Sequence, residues 1–197
     1  MSVVNPEFIM YVGPMFGTKT SKLLMALERY KHQHKKVAVF KPQIDDRYSS
    51  SDVVSHSGWS APAVAIKNGA EILKILTEEK DSPHVVAVDE AFMIPGIAEV
   101  LIWLYRNGFN VVVATLDMAS QGKPFHEVEK MLSWATYIDK CTSVCTACGA
   151  DAHYTYKKQV DDNEEIHIGG AELYEPRCGR CHPAILSQDV VVNKNNV

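Results

Sequence analysis

The feature that most constrains this chain is the stretch "YVGPMFGTKTSK" over residues 11–22, which lies between a short apolar run and a helical pattern. Upstream, "FIMYV" over residues 8–12 reads as a buried strand. Downstream, Leu23, Leu24, Leu27 and Tyr30 recur at helical spacing. Strand, glycine-bearing loop and helix in that order make a phosphate-binding unit, in which backbone N–H groups and a helix N-terminus converge on an anion. The usual pattern is G-x-x-x-x-G-K-[ST]. Gly13, Lys19 and Thr20 match it, but Thr18 precedes the lysine and the glycine sits one place earlier, at Gly17. Two loop geometries are open. In one, Thr18 is forced to positive φ, which is costly for a β-branched residue. In the other, Gly17 takes the unusual dihedrals and Thr18 stays ordinary.

Further along, apolar runs alternate with helical patterns. "KVAVF" (36–40) reads as a strand stopped by Pro42 and followed by a polar loop over 45–52. "GAEILKILTEEK" and "AEVLIWLYRNG" read as helices, the second stopped by Gly108, and "HVVAVDE" and "NVVVATLD" read as strands apolar on both faces. Doubly apolar strands alternating with helices indicate a parallel sheet covered on both sides. A phosphate loop on such a sheet needs a metal-side carboxylate at the end of another buried strand. Asp89, after "VVAV", supplies it, and with the Thr20 hydroxyl would hold Mg²⁺. Its neighbour Glu90 is either a solvated loop-end carboxylate or, at the carboxyl edge of the sheet, a base for a hydroxyl acceptor.

Beyond about residue 139 long helical patterns stop. Of five cysteines, four form two C-x-x-C pairs, Cys145/Cys148 and Cys178/Cys181. The spacing favours a closed four-thiolate structural zinc site, with His182 as a possible stand-in for Cys181 and Cys141 outside the set as an ordinary thiol. "HYTYK" reads as a strand and "DDNEE" as an acidic turn between the pairs. The expected organisation is a phosphate-loop domain over 1–140, a zinc ribbon over 141–187 and a flexible polar tail over 188–197. With a net charge of -4 and a pI near 6.0, a surface tracking a nucleic-acid backbone is not expected. The absence of an export pattern or a long apolar span suggests a cytoplasmic protein with no membrane contact.

Taken together, "GPMFGTKT", "KPQIDDRYSSS", "VDEAF", "TLDMASQGKPF", the paired cysteines and "IGGAELYEPRC" resemble, in order and spacing, the zinc-containing thymidine kinases. The resemblance runs from about Ile9 to His182. It implies a RecA-like phosphate-loop α/β fold with a C-terminal zinc ribbon and a lasso loop. It further implies phosphorylation of the thymidine 5′-hydroxyl by ATP to give dTMP for DNA synthesis, in a homotetramer inhibited by dTTP. On this resemblance Gly13, Pro14, Met15, Phe16, Gly17, Thr18, Lys19 and Thr20 would hold the ATP phosphates. Thr20 and Asp89 would hold Mg²⁺, Glu90 would be the base, and Arg47 would lie near the transferring group. Met15, Asp45, Met93, Leu116, Ser120, Phe125, Ile168, Gly169 and Tyr174 would surround the nucleoside, with Gly169 and Gly170 in the lasso.

The chain departs from that pattern in places. Besides the Gly17-Thr18 order, Phe92 stands where the family has glutamine, and Met93 where it has an aromatic. Met118, Ser120 and Gly122 replace glycine, phenylalanine and arginine. Softer or smaller contacts in place of two aromatics imply a roomier base pocket. A regulator that keeps the fold without turnover is the alternative reading. A zinc-ribbon nucleic-acid binder with an ATPase domain is a further one, which the acidic turn disfavours.

Overall fold

A computed structural model describes residues 5–45, 51–55, 58–78, 81–158 and 169–186. Its centre is a six-stranded sheet. The strands are β1 (Phe8–Val12), β2 (Val37–Pro42), β5 (Val64–Ile66), β6 (Val85–Asp89), β7 (Asn110–Thr115) and β8 (Tyr137–Lys140). They lie in the order β5-β2-β6-β7-β1-β8, and every neighbouring pair is parallel. Strands β6 and β7 are buried at every position, as doubly apolar strands must be. The loop strand β1 and the carboxylate strand β6 are separated by β7.

Side-chain alternation divides the core in two. Ile9, Val39, Val85, Ala87, Val112 and Ala114 face α1 (Lys19–His32), which contributes Leu23, Leu24, Leu27 and Tyr30. Phe8, Met10, Val86, Val88, Val111 and Val113 face the other way. There they meet Ile72 of α2 (Ala70–Glu78), Ile97, Leu101 and Leu104 of α3 (Ile97–Arg106), and Val128 and Met131 of α4 (His126–Leu132). Helices therefore cover both faces. Gly108, at φ 90°, follows α3 and reverses the chain into β7.

Pro42 is the last residue of β2 rather than its stop, and it sits opposite Ile66 in the parallel register. A short antiparallel pair, β3 (Asp52–Val54) and β4 (Ser60–Pro62), follows and packs Val53 and Ala61 against the α1 side of the core. It occupies the end of the segment that reads as a polar loop, of which residues 46–50 lie outside the described residues.

After β8 the structure continues as two small antiparallel pairs. They are β9 (Ser143–Val144) with β10 (Asp151–Ala152), and β11 (Tyr154–Lys157) with β12 (Tyr174–Arg177). A four-residue helix, α5 (Pro183–Leu186), ends the described chain. The acidic turn and the polar tail fall outside the described residues. Among the described residues no helix is long and apolar enough to cross a membrane.

Candidate active site

Parallel strands that start together end together, so the carboxyl edge of the sheet gathers Val12, Asp89 and Thr115 within adjoining strands. From Val12 the chain enters the loop at Gly13, whose φ is 140°. A Cβ at Gly13 would lie 2.4 Å from the Cys141 carbonyl oxygen, so no other residue fits. The Pro14 carbonyl accepts hydrogen bonds from Gly17 N–H at 3.2 Å and from the Lys19 ammonium at 2.7 Å.

The misfit in the motif resolves against the shifted glycine. Thr18 takes the left-handed conformation, with φ 62° and ψ 14°, and Phe16 is left-handed as well at φ 63°. Gly17 is not left-handed; it is needed for space, because a Cβ there would approach the Pro14 oxygen to 3.0 Å. The turn from loop into α1 demands positive φ at position 18 whatever residue occupies it. Thr18 accepts that strain and its carbonyl receives the Lys22 N–H at 3.0 Å, which starts the helix.

The Thr20 hydroxyl, one residue into the helix after Lys19, donates to the Asp89 carboxylate at 3.1 Å and 3.3 Å to its two oxygens. Lys19 and Asp89 are both buried, at 7% and 8% exposure, although each carries a charge in water. Burial pushes Asp89 up to about 7, with the neighbouring Glu90 charge adding to it. Burial likewise lowers Lys19, against the pull of Glu90 and Asp89. Desolvation thus outweighs mutual attraction in this cluster, the condition of a site built around charges that arrive with a ligand. Glu90 follows at φ 49° and ψ 42°, left-handed for a residue that has a Cβ.

These groups line a cavity of about 500 Å³, a size suited to a small-molecule ligand. Phe16, Gly17, Thr18, Lys19, Thr20, Asp89 and Glu90 form its wall, together with Met15, Asp45 and the β3 residues Asp52, Val53 and Val54. Lys41 lines it too, and the sequence reading missed it. This lysine is 6% exposed at the end of β2, on the face that Val39 shares with α1, and its ammonium donates to the Asp52 carbonyl at 3.4 Å. A lysine ending an otherwise apolar strand, in "VFKP", was the available signal.

The expected base-pocket residues divide. Met93, Leu116 and Phe125 are buried in one apolar cluster, and Met15 packs against it from the loop. Asp45 is buried and lines the cavity. Ser120 and Tyr174 are half-buried and do not line it. Gly169 is buried, and a Cβ there would meet Leu173 Cδ1 at 2.4 Å. Arg47 and Ile168 lie outside the described residues. The Phe92 ring lies 4.5 Å from that of Phe125 at 37° within the same apolar cluster.

Cys145, Cys148, Cys178 and Cys181 bring their sulfurs within 4.8 Å of one another, with Cys148 and Cys178 at 3.6 Å. Tetrahedral thiolates at about 2.3 Å from zinc stand about 3.8 Å apart, so this donor set fits the metal. Backbone N–H groups, that of Cys178 first, bring the Cys145 thiol down to about 6, while the crowding thiols of Cys148 and Cys178 push Cys181 up to about 12. His182 is not a stand-in for Cys181: its Nε2 lies 3.0 Å from the Thr155 carbonyl, while all four cysteines are in the cluster. Cys141 is buried, and its thiol is pushed up by that burial.

A family model described as thymidine kinase matches residues 7–182 of the chain. Among solved structures, the chain is similar to the genome packaging NTPase B204 from Sulfolobus turreted icosahedral virus 2 in complex with sulfate. The identity is 17% over 74% of this chain and 77% of that chain, at a TM-score of 0.43. In complex with ATP-gammaS the same protein gives 15% identity over 73% and 77%, also at 0.43.

Proposed function

The chain belongs to the thymidine kinase family, and on that premise we propose that it transfers the γ-phosphoryl group of ATP to the 5′-hydroxyl of thymidine, giving dTMP for DNA synthesis. The observation that carries this reading is the Thr20 hydroxyl on the Asp89 carboxylate, inside one cavity with Lys19 and Glu90. That is the layout an in-line phosphoryl transfer requires.

In this mechanism the loop amides and Lys19 hold the β- and γ-phosphates, and Thr20 with Asp89 holds Mg²⁺. The metal, when bound, offsets charge on the phosphoryl oxygens. Glu90 accepts the proton of the 5′-hydroxyl as it attacks, and Arg47 and Lys41 add positive charge near the transferring group. Asp45 and the cluster of Met15, Met93, Leu116 and Phe125 receive the nucleoside. Ser120, Tyr174 and the lasso residues Ile168 and Gly169 complete its enclosure. Zinc on the four cysteines is structural, since the donor set leaves no open position. A cytoplasmic homotetramer inhibited by dTTP is part of the same proposal, with the domain limits expected from the sequence.

Strain at Thr18 favours one competing reading, a nucleotide-binding regulator without turnover. Steady-state assay of the purified chain with ATP, Mg²⁺ and a panel of deoxynucleosides separates the two. Turnover fastest with thymidine and inhibited by dTTP supports the kinase. Calorimetric ATP binding with no phosphorylated product from any nucleoside would instead identify the regulator. Light scattering gives the oligomeric state directly.

A further inference from the structure

The phosphate loop is not held by its own sheet alone. Met15 N–H, in the middle of the loop, donates at 3.0 Å to the hydroxyl of Thr155, which lies 140 residues further along the chain. Thr155 sits on β11, between the two cysteine pairs, and is 4% exposed. Its carbonyl in turn meets His182 Nε2 at 3.0 Å. A carbonyl can only accept, so that nitrogen carries the proton. His182 is 1% exposed, follows Cys181 directly, and is wedged edge-on between the rings of Tyr154 and Tyr156 at 6.0 Å and 5.6 Å. A covalent and hydrogen-bonded path therefore runs from the four-cysteine cluster through His182 and Thr155 to the loop. A second contact runs beside it, the Cys141 carbonyl against Gly13.

We infer that Thr155 is a positioning residue for the nucleotide, setting the curvature of the phosphate loop from the cysteine-bearing segment. This rests on the reading that the loop holds ATP. Loops of this kind bind anions with backbone amides, and their affinity depends on how many amides already point the right way. Here Met15 N–H is committed to Thr155 and Gly17 N–H to the Pro14 carbonyl, so the loop is bent before any anion arrives. The first-turn amides of α1 that follow have no partner within the helix. Positive φ at Phe16 and Thr18 makes such a tether necessary, because a loop under local strain relaxes unless its surroundings over-determine it. The plain alternative is that Thr155 is a buried hydroxyl satisfied for the sake of packing, with no bearing on the nucleotide.

Calorimetry on the full-length, metal-loaded protein with a non-hydrolysable ATP analogue and Mg²⁺, in the absence of nucleoside, distinguishes these. Thr155→Val keeps the shape and removes the acceptor, so Met15 N–H loses the bond that sets the loop's curvature; nucleotide affinity should fall about tenfold. Thr155→Ser, which restores the hydroxyl without the methyl, should recover most of that loss. Thermal midpoints without nucleotide establish that each variant is folded. A folded Thr155→Val protein that binds the analogue as the wild type does overturns the inference, as does a serine variant as weak as the valine one. If Thr155→Val does not fold, Thr155→Cys replaces it, since a thiol is a weak acceptor of similar size. Undiminished affinity in that variant is equally fatal. Failure of the wild type itself to bind the analogue would sink the ATP reading instead, so the two failures are distinguishable.

Discussion

Thr18 shows how one residue can satisfy a motif and strain it together. The spacing of Gly13, Lys19 and Thr20 announces a phosphate loop in the bare sequence, yet the loop still demands a left-handed residue before the lysine, and threonine provides it. The strain is on the order of 1–3 kcal/mol, while glycine at the same place adds unfolded-state entropy of roughly 0.5–1 kcal/mol. Thr18→Gly should therefore gain on the order of 1 kcal/mol in stability and tighten ATP binding. A lower denaturant midpoint together with unchanged nucleotide affinity would show that Thr18 makes contacts worth more than its strain. At Glu90 the test is chemical: Glu90→Gln keeps the size and the backbone turn but removes the base. Turnover should drop by roughly 10²–10⁴, with thymidine affinity and thermal midpoint little changed. Near-normal turnover would place the proton acceptor elsewhere.

Among elements, the short turn of 3₁₀ helix at Ala91–Met93 after β6 buries Phe92 and Met93 in the apolar core. Phe92 N–H donates to the Thr115 hydroxyl at 3.1 Å, which ties the turn to the end of β7 and aims the Phe92 ring at Phe125. Removing that ring should have two separable effects. Phe92→Ala should cost about 3 kcal/mol of stability, as truncation of a buried aromatic does. It should also raise the acceptance of bulkier 5-substituted deoxyuridines relative to thymidine in direct competition. If the competition ratio stays at its wild-type value while stability falls, Phe92 supports the core but is no wall of the pocket.

At the scale of the molecule, the cysteine-bearing segment and the sheet share the loop between them. Cys141 N–H donates to the Val12 carbonyl at 2.7 Å, so the chain leaves β8 directly beneath the loop before it enters the cysteine pairs. Elemental analysis of protein prepared without added metal should find one zinc per chain. Chelation should lower the thermal midpoint and weaken ATP binding as well as nucleoside binding, because the loop leans on that segment at both Gly13 and Met15. Well under one equivalent of zinc, or disulfides among the four thiols by mass spectrometry, would remove the metal from the assignment.

The sequence by itself determined whatever rests on local periodicity and spacing. The doubly apolar runs at β6 and β7, the apolar stripe of α1, the loop, the carboxylate pair and the cysteine pairs are each legible within a few residues. The tertiary structure decided the rest, where the local signal is weak or the partners are remote. Strand β8, "YIDK", has mostly exposed side chains and no alternation to betray it; it is a strand because β1 offers it an unpaired edge. Helix α4 is only seven residues long, too short for its period to be read with certainty, and packing of Val128 and Met131 on the core makes it one. The dihedrals of Thr18 come from closing a strand onto a helix, and the bond from Met15 to Thr155 joins segments that no sequence window spans. Periodicity reports which face a residue turns inward, whereas backbone strain and long-range hydrogen bonds arise only once the whole chain has closed around them.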